Sequence, residues 1–186
     1  MKKMLFSIAI VLFTILLGVG NADNILITSA ASTNTPAPIE IDLINGDEEK
    51  IGTATFTESS KGVKIRVKAE GLEPGTKAIH IHETGKCVAP DFTSAGGHFN
   101  PGKKEHGFEN PKGFHAGDLP NIEVSAQGVV DVEIVAPGLT LKQGAENSLL
   151  DADGSALVIH EKADDYKTNP AGNAGDRIVC GVIGKE

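Results

Sequence analysis

Short runs that alternate apolar and polar residues constrain this chain more than any other feature. Val63-Lys64-Ile65-Arg66-Val67-Lys68 alternates most cleanly, and Ile39-Glu40-Ile41-Asp42-Leu43 and Gly52-Thr53-Ala54-Thr55-Phe56-Thr57 follow the same rule. Successive side chains of a strand point to opposite faces, so each run predicts one buried and one wet face. Further strands are expected at Ala78–His82, Ile122–Ala126, Val129–Ile134, Ala156–His160 and Arg177–Ile183. Ser59-Ser60-Lys61-Gly62 and Gln127-Gly128 read as hairpin turns, with glycine able to take positive φ. Beyond residue 36 no run of ten or more residues carries a clear helical period. About eight short strands in one domain predict an all-β fold, a Greek-key β-barrel or sandwich. The 22 Gly and 9 Pro suit its turns, and with no Trp and 4% aromatic residues the core must be aliphatic.

Two segments do not read as strands. Residues 83–119 contain Gly85, Gly96, Gly97, Gly102, Gly107, Gly113, Gly117 and three prolines, and residues 161–176 contain Asp164, Asp165 and Pro170. Loops of this length in a compact domain usually carry function.

The N-terminus has another character. Met1-Lys2-Lys3-Met4 is positively charged, the stretch from Leu5 to Val19 is mostly apolar, and Gly20-Asn21-Ala22 supplies small residues. This is the pattern of a secretory signal peptide over residues 1–22, with an uncleaved anchor as the alternative. Residues 23–36, rich in Ser, Thr, Asn and Ala, read as a flexible linker, which leaves 37–186 as the folded domain. The expected setting is extracytoplasmic: secreted, held at the cell envelope, or periplasmic. The membrane would be touched only through an uncleaved N-terminal segment. Lys+Arg number 17 against 25 Asp+Glu, a formal net charge of −8, which argues against a nucleic-acid partner.

Cys87 and Cys180 are the only cysteines, an even number in a chain read as exported. A bridge would close a loop of roughly 93 residues and contribute at most about 4–5 kcal/mol. Two buried thiols are the other reading.

All six histidines fall between positions 80 and 160: His80, His82, His98, His106, His115 and His160. His80 and His82 sit two apart on a strand and therefore share a face. Three more lie along the glycine-rich segment, with Asp118 three residues after His115, and His160 ends a distant strand. Imidazole is the commonest metal ligand, because one nitrogen binds while the other is oriented by a partner. Seven candidate ligands exceed one tetrahedral ion and suit two ions that share a ligand. A His-rich site with one carboxylate fits zinc, and a nearly all-imidazole site fits copper. A zinc hydrolase would need an open water position, but the chain has no His-Glu-x-x-His helix.

Four segments in collinear order resemble the copper/zinc superoxide dismutases. They are Ala78-Ile79-His80-Ile81-His82-Glu83-Thr84-Gly85; Gly96-Gly97-His98-Phe99-Asn100-Pro101 with His106-Gly107 and His115-Ala116-Gly117-Asp118-Leu119; Leu157 to Asp165; and Gly172 to Ile183. The resemblance covers residues 37–184. It implies copper on His80, His82, His98 and His160, and zinc on His98, His106, His115 and Asp118, with His98 bridging as an imidazolate. It also implies a Cys87–Cys180 disulfide, Asp164 orienting one histidine of each site, and Arg177 as the fixed positive charge at the copper mouth. The implied fold is an eight-stranded Greek-key barrel. The implied activity is conversion of superoxide to dioxygen and hydrogen peroxide, with Arg177 and His98 as the catalytic residues. A non-catalytic copper- and zinc-binding relative is the competing reading, and a homodimer through exposed strands is compatible with such a barrel. Three departures are visible: Ala78-Ile79 where Gly-Phe is frequent, Pro120 where Gly is frequent, and Asp176 beside Arg177, where an acid weakens the local positive potential.

Overall fold

A computed structural model describes residues 35–184. The leader at 1–22 and all of the linker except Thr35 and Pro36 lie outside the described residues.

The alternating runs form strands. In chain order they are β1 (Ile39–Asn45), β2 (Lys50–Ser59), β3 (Gly62–Ala69), β4 (Gly75–Lys77), β5 (Ile79–His82), β6 (Ile122–Val124), β7 (Val130–Ala136), β8 (Ser155–His160) and β9 (Arg177–Ile183). A 3-10 turn at Thr93–Ala95 is the one helical element among the described residues. Seven strands form an antiparallel sheet in the order β5-β8-β9-β1-β2-β3-β7, and β4 pairs with β6. Strands β1, β2 and β3 are a meander, while β1–β9, β3–β7 and β5–β8 pair strands distant in sequence, the connectivity of a Greek key. The β4–β6 ribbon joins the two ends of the large sheet, since β4 runs into β5 across Ala78 and β6 turns into β7 at Gln127-Gly128.

The count is nine rather than eight because Gly75–Lys77 forms a strand too short to show a period. Ala78 was expected inside a strand and is instead where the chain changes sheets. Its N–H donates to Lys162 O at 2.7 Å and its carbonyl accepts from His160 N at 2.9 Å. The two-residue turn at Ser60-Lys61 follows the sequence, with Gly62 at φ 109°.

The interior is aliphatic. Leu43, Phe56, Ile65, Val67, Ile79, Ile81, Leu157, Ile159, Val179 and Ile183 are among its buried residues. Every residue of β8 is buried. Leu157 and Ile159 face this core, whereas Ala156 and Val158 pack on the other side against Phe92, Ala95 and Cys180. Segment 83–97 thus covers the outside of the barrel at β8, which explains the unbroken apolar run there. Cys87 and Cys180 are disulfide-bonded, with Cα atoms 5.7 Å apart, and tie that segment to β9.

Candidate metal centre

The sequence Ile79-His80-Ile81-His82 sends both isoleucines inward and both imidazoles outward, where the first long loop folds back over them. Phe99 N donates to Ile81 O at 2.8 Å and Ile81 N to Gly117 O at 2.9 Å. Short bridges pair His82 with His98 and His80 with Asp118. A Cβ on Gly117 would overlap Ile81 O, so this close return needs glycine. His160 arrives from β8, paired across the sheet with Arg177 at the start of β9. All six histidines, Asp118 and Asp164 are buried.

These side chains make two clusters that meet at one ring. The first joins His80, His82, His98 and His160, and the second joins His98, His106, His115 and Asp118. In the first, Nδ1 of His80 and Nε2 of His82, His98 and His160 are buried without a hydrogen-bond partner. A buried polar atom left unpaired costs about 1–3 kcal/mol, so four such nitrogens within 4.8 Å of one another suit a cation. Their lone pairs are available. Burial, aided by the charge of His98, holds His82 down to about 2. Burial and His80 hold His160 at about 3. Burial holds His98 at about 4 despite its hydrogen bond with Asp118.

In the second cluster, Asp118 Oδ1 lies 2.8 Å from His98 Nδ1 and 3.1 Å from Nδ1 of both His106 and His115. His115 Nδ1 and His98 Nδ1 are 3.4 Å apart. Zinc–ligand bonds of about 2.0–2.1 Å give a tetrahedron with edges of about 3.3 Å, so the residues fit such an ion. Asp118 Oδ2 is fixed by N–H groups of Gly107 at 2.9 Å and His115 at 3.0 Å, which turns Oδ1 toward the rings. Burial alone would raise the Asp118 pKa. Its bonds with His106, His115 and His98 outweigh that and hold it well below the usual carboxylate range.

The outward nitrogens are oriented as well. Asp164 Oδ2 accepts from His80 Nε2 at 2.9 Å, and Oδ1 from His106 Nε2 at 2.9 Å, so one carboxylate spans the two clusters. Burial opposes protonation of His106, yet Asp118 and Asp164 on either side raise it to about 9. His82 Nδ1 donates to Gly96 O at 3.0 Å, and His160 Nδ1 faces Gly175 O at 3.4 Å. Gly172, at φ 65°, passes so close to Asp164 that a Cβ would overlap Oδ1.

Arg177 is half-buried beside the first cluster, near enough for its charge to lower both His82 and His160. Its guanidinium donates to Phe92 O and Gly96 O, each at 2.7 Å. The structure therefore brings together every site residue singled out in the sequence. Sequence reasoning missed Asn121, which holds the backbone of Asp164 through Nδ2→Asp164 O and Asp164 N→Oδ1, both 2.9 Å. It also missed the carbonyls of Phe92, Gly96 and Gly175. Asn121 follows Asp118-Leu119-Pro120, and no pattern marks it.

Comparisons with known proteins agree with this geometry. Residues 50–183 match the family described as copper/zinc superoxide dismutase (SODC). The chain is 54% identical over 145 residues to the superoxide dismutase-like protein YojM of Bacillus subtilis, covering 77% of this chain and 74% of that one. It is 54% identical over 143 residues to superoxide dismutase [Cu-Zn] 1 of Aquifex aeolicus, covering 76% and 85%. Among solved structures, a double mutant of a SOD-like protein from Bacillus subtilis superposes with a TM-score of 0.77 at 54% identity, covering 78% of this chain and 97% of that one. The Cu/Zn superoxide dismutase from Brucella abortus superposes with a TM-score of 0.65 at 30% identity, covering 79% and 99%. With the matched region spanning most of the barrel and both histidine clusters, the chain belongs to the copper/zinc superoxide dismutase family.

Proposed function

We propose that this protein converts superoxide to dioxygen and hydrogen peroxide. Copper would be held by His80, His82, His98 and His160, and zinc by His98, His106, His115 and Asp118. The observation that carries this reading is the shared ring. His98 offers an unpaired Nε2 to one cluster and Nδ1 to the other, so the clusters form one centre with two unlike donor sets.

Bound copper would supply one-electron chemistry, taking an electron from one superoxide and returning it to a second. The chain's residues do the rest. Arg177 presents a permanent positive charge to a small anion, and two carbonyls hold its guanidinium in place. Attraction of the anion depends on that local field, so the net charge of −8 does not oppose it. With Nδ1 engaged beside Asp118, His98 can take up and release a proton only at Nε2, where the reduced substrate needs one. Asp164 keeps the Nε2 protons of His80 and His106 turned away from the centre, so that Nδ1 of each ring faces inward.

The disulfide supports an extracytoplasmic setting, with the N-terminal leader as the route of export. The name superoxide dismutase-like, given to the Bacillus subtilis relative, keeps a metal-binding role without turnover as the second reading. Superoxide decay, followed with the protein carrying both metals and with zinc alone, separates the two. Turnover that requires copper in the protein supports the enzyme. A decay rate equal to that of the zinc-only form establishes the second reading.

A further inference from the structure

Lys77 lies almost wholly inside the protein, only 8% exposed. Lysines are seldom buried without a partner, because the ammonium gives up its hydration. Nζ of Lys77 donates to the backbone carbonyl of Glu161 at 2.7 Å. That carbonyl follows His160 directly and begins the second long loop.

The surroundings give this contact its meaning. Lys77 ends β4, one residue before the chain changes sheets at Ala78. Three hydrogen bonds join this point to residues 160–162: Lys77 Nζ to Glu161 O, Ala78 N to Lys162 O, and His160 N to Ala78 O. Across the sheet, the β8–β9 register slips between Ile159 and His160. A residue at such an irregularity loses part of the ladder that fixes its neighbours. The backbone that follows His160 is held from two sides, by 77–78 and by the N–H groups of Glu161 and Lys162, which donate to Asp176 O and Ala174 O, each at 2.8 Å. The two Ala78 bonds are main-chain and any residue could make them. Lys77 supplies the side-chain contact of the three.

We propose that Lys77 is a positioning residue for His160. By anchoring Glu161 O it fixes the irregularity from which His160 projects, and so aims His160 Nε2 into the first cluster. The inference rests on the metal reading above. Its effect is confined to that side of the centre, because Asn121 independently holds the backbone of Asp164.

The test compares Lys77→Met, which keeps length and loses the donor, with Lys77→Arg, which keeps a donor, in the full chain. Copper and zinc affinities are measured by chelator competition, the copper(II) environment by electron paramagnetic resonance, and the His160 ring nitrogens by NMR of metal-free protein. Lys77→Met is expected to weaken copper roughly tenfold, the scale of one hydrogen bond from a charged donor. It should also alter the copper(II) spectrum and shift the His160 nitrogens, while zinc affinity stays at the parent value. Lys77→Arg should restore most of the parent behaviour. Parent-like copper affinity and spectrum in Lys77→Met overturn the proposal. So does equal weakening of both metals, which marks a general loss of stability. If the parent binds no copper, the metal reading fails, and unmoved His160 signals in Lys77→Met then overturn the positioning role separately.

Discussion

The substitution Asp164→Asn tests whether one carboxylate governs both halves of the centre. Asp164 Oδ1 accepts from Tyr166 N at 2.7 Å and His106 Nε2 at 2.9 Å, while Oδ2 accepts from His80 Nε2 alone. The amide oxygen of the substituted side chain would therefore take the Oδ1 position, where two donors wait, and its NH2 would face His80 Nε2–H. Two donors then confront each other. Either His80 loses the bond, or its proton moves to Nδ1, the atom that points into the first cluster. A hydrogen bond to a charged group contributes about 1.5–3 kcal/mol, so copper should weaken roughly 10- to 100-fold. His106 keeps an acceptor and loses only its charge, about half of that free energy, so zinc should weaken roughly 3- to 10-fold. Chelator competition for each metal, with the other site filled, measures both, and circular dichroism checks that the isosteric variant is folded. Zinc weakened as much as copper, or neither weakened, would refute the reasoning.

Arg177→Ala should leave both metals bound and slow superoxide decay, with the difference shrinking as salt rises, since the Debye length falls to about 8 Å near 0.15 M. A parent-like rate at low salt removes the assigned role. Reduction of Cys87–Cys180 should lower the melting temperature, by at most about 4–5 kcal/mol of stability, and free segment 87–96, whose carbonyls hold Arg177. Calorimetry with and without reductant decides this, and an unchanged transition counts against it. In metal-free protein, His82, His160 and His98 sit at about 2, 3 and 4, below the unfolded value near 6.5. Their folded pKa values are depressed, so the unfolded state binds more protons and stability falls as pH drops from about 6.5 toward 4. The loss is up to about 1.4 kcal/mol per pH unit for each ring. His106, raised to about 9, contributes fully below 6.5 and adds no slope in that window. Denaturant unfolding at several pH values checks the trend, and a flat profile between pH 6.5 and 4.5 contradicts it.

The sequence revealed most where residue type carries the physics. Alternation located β1, β2 and β3 because one face is dry and the other wet, and clustered histidines exposed the centre because few other roles collect them. It revealed less where the backbone acts. Gly96 O, Gly175 O and Phe92 O orient His82, His160 and Arg177, yet any residue brings a carbonyl, so no letter marks them. The short β4 has too few residues to show a period, and the change of sheets at Ala78 depends on partners more than 80 positions away. Lys77 lies outside every strand expected from the sequence, and its contact with Glu161 O joins positions 84 residues apart.

The return of the first loop along β5 also covers an edge of the sheet. A sheet ends in a row of free N–H and C=O groups, which can template pairing with another chain. Here β5 has β8 on one side, and on the other its Ile81 is paired with Phe99 and Gly117, which belong to the loop bearing His98, His115 and Asp118. The cover of that edge is as firm as the anchoring of the loop. Loosening the loop that carries the second cluster would therefore also bare the edge of β5 at Ile81, so the state of the centre and the cover of the sheet are physically linked.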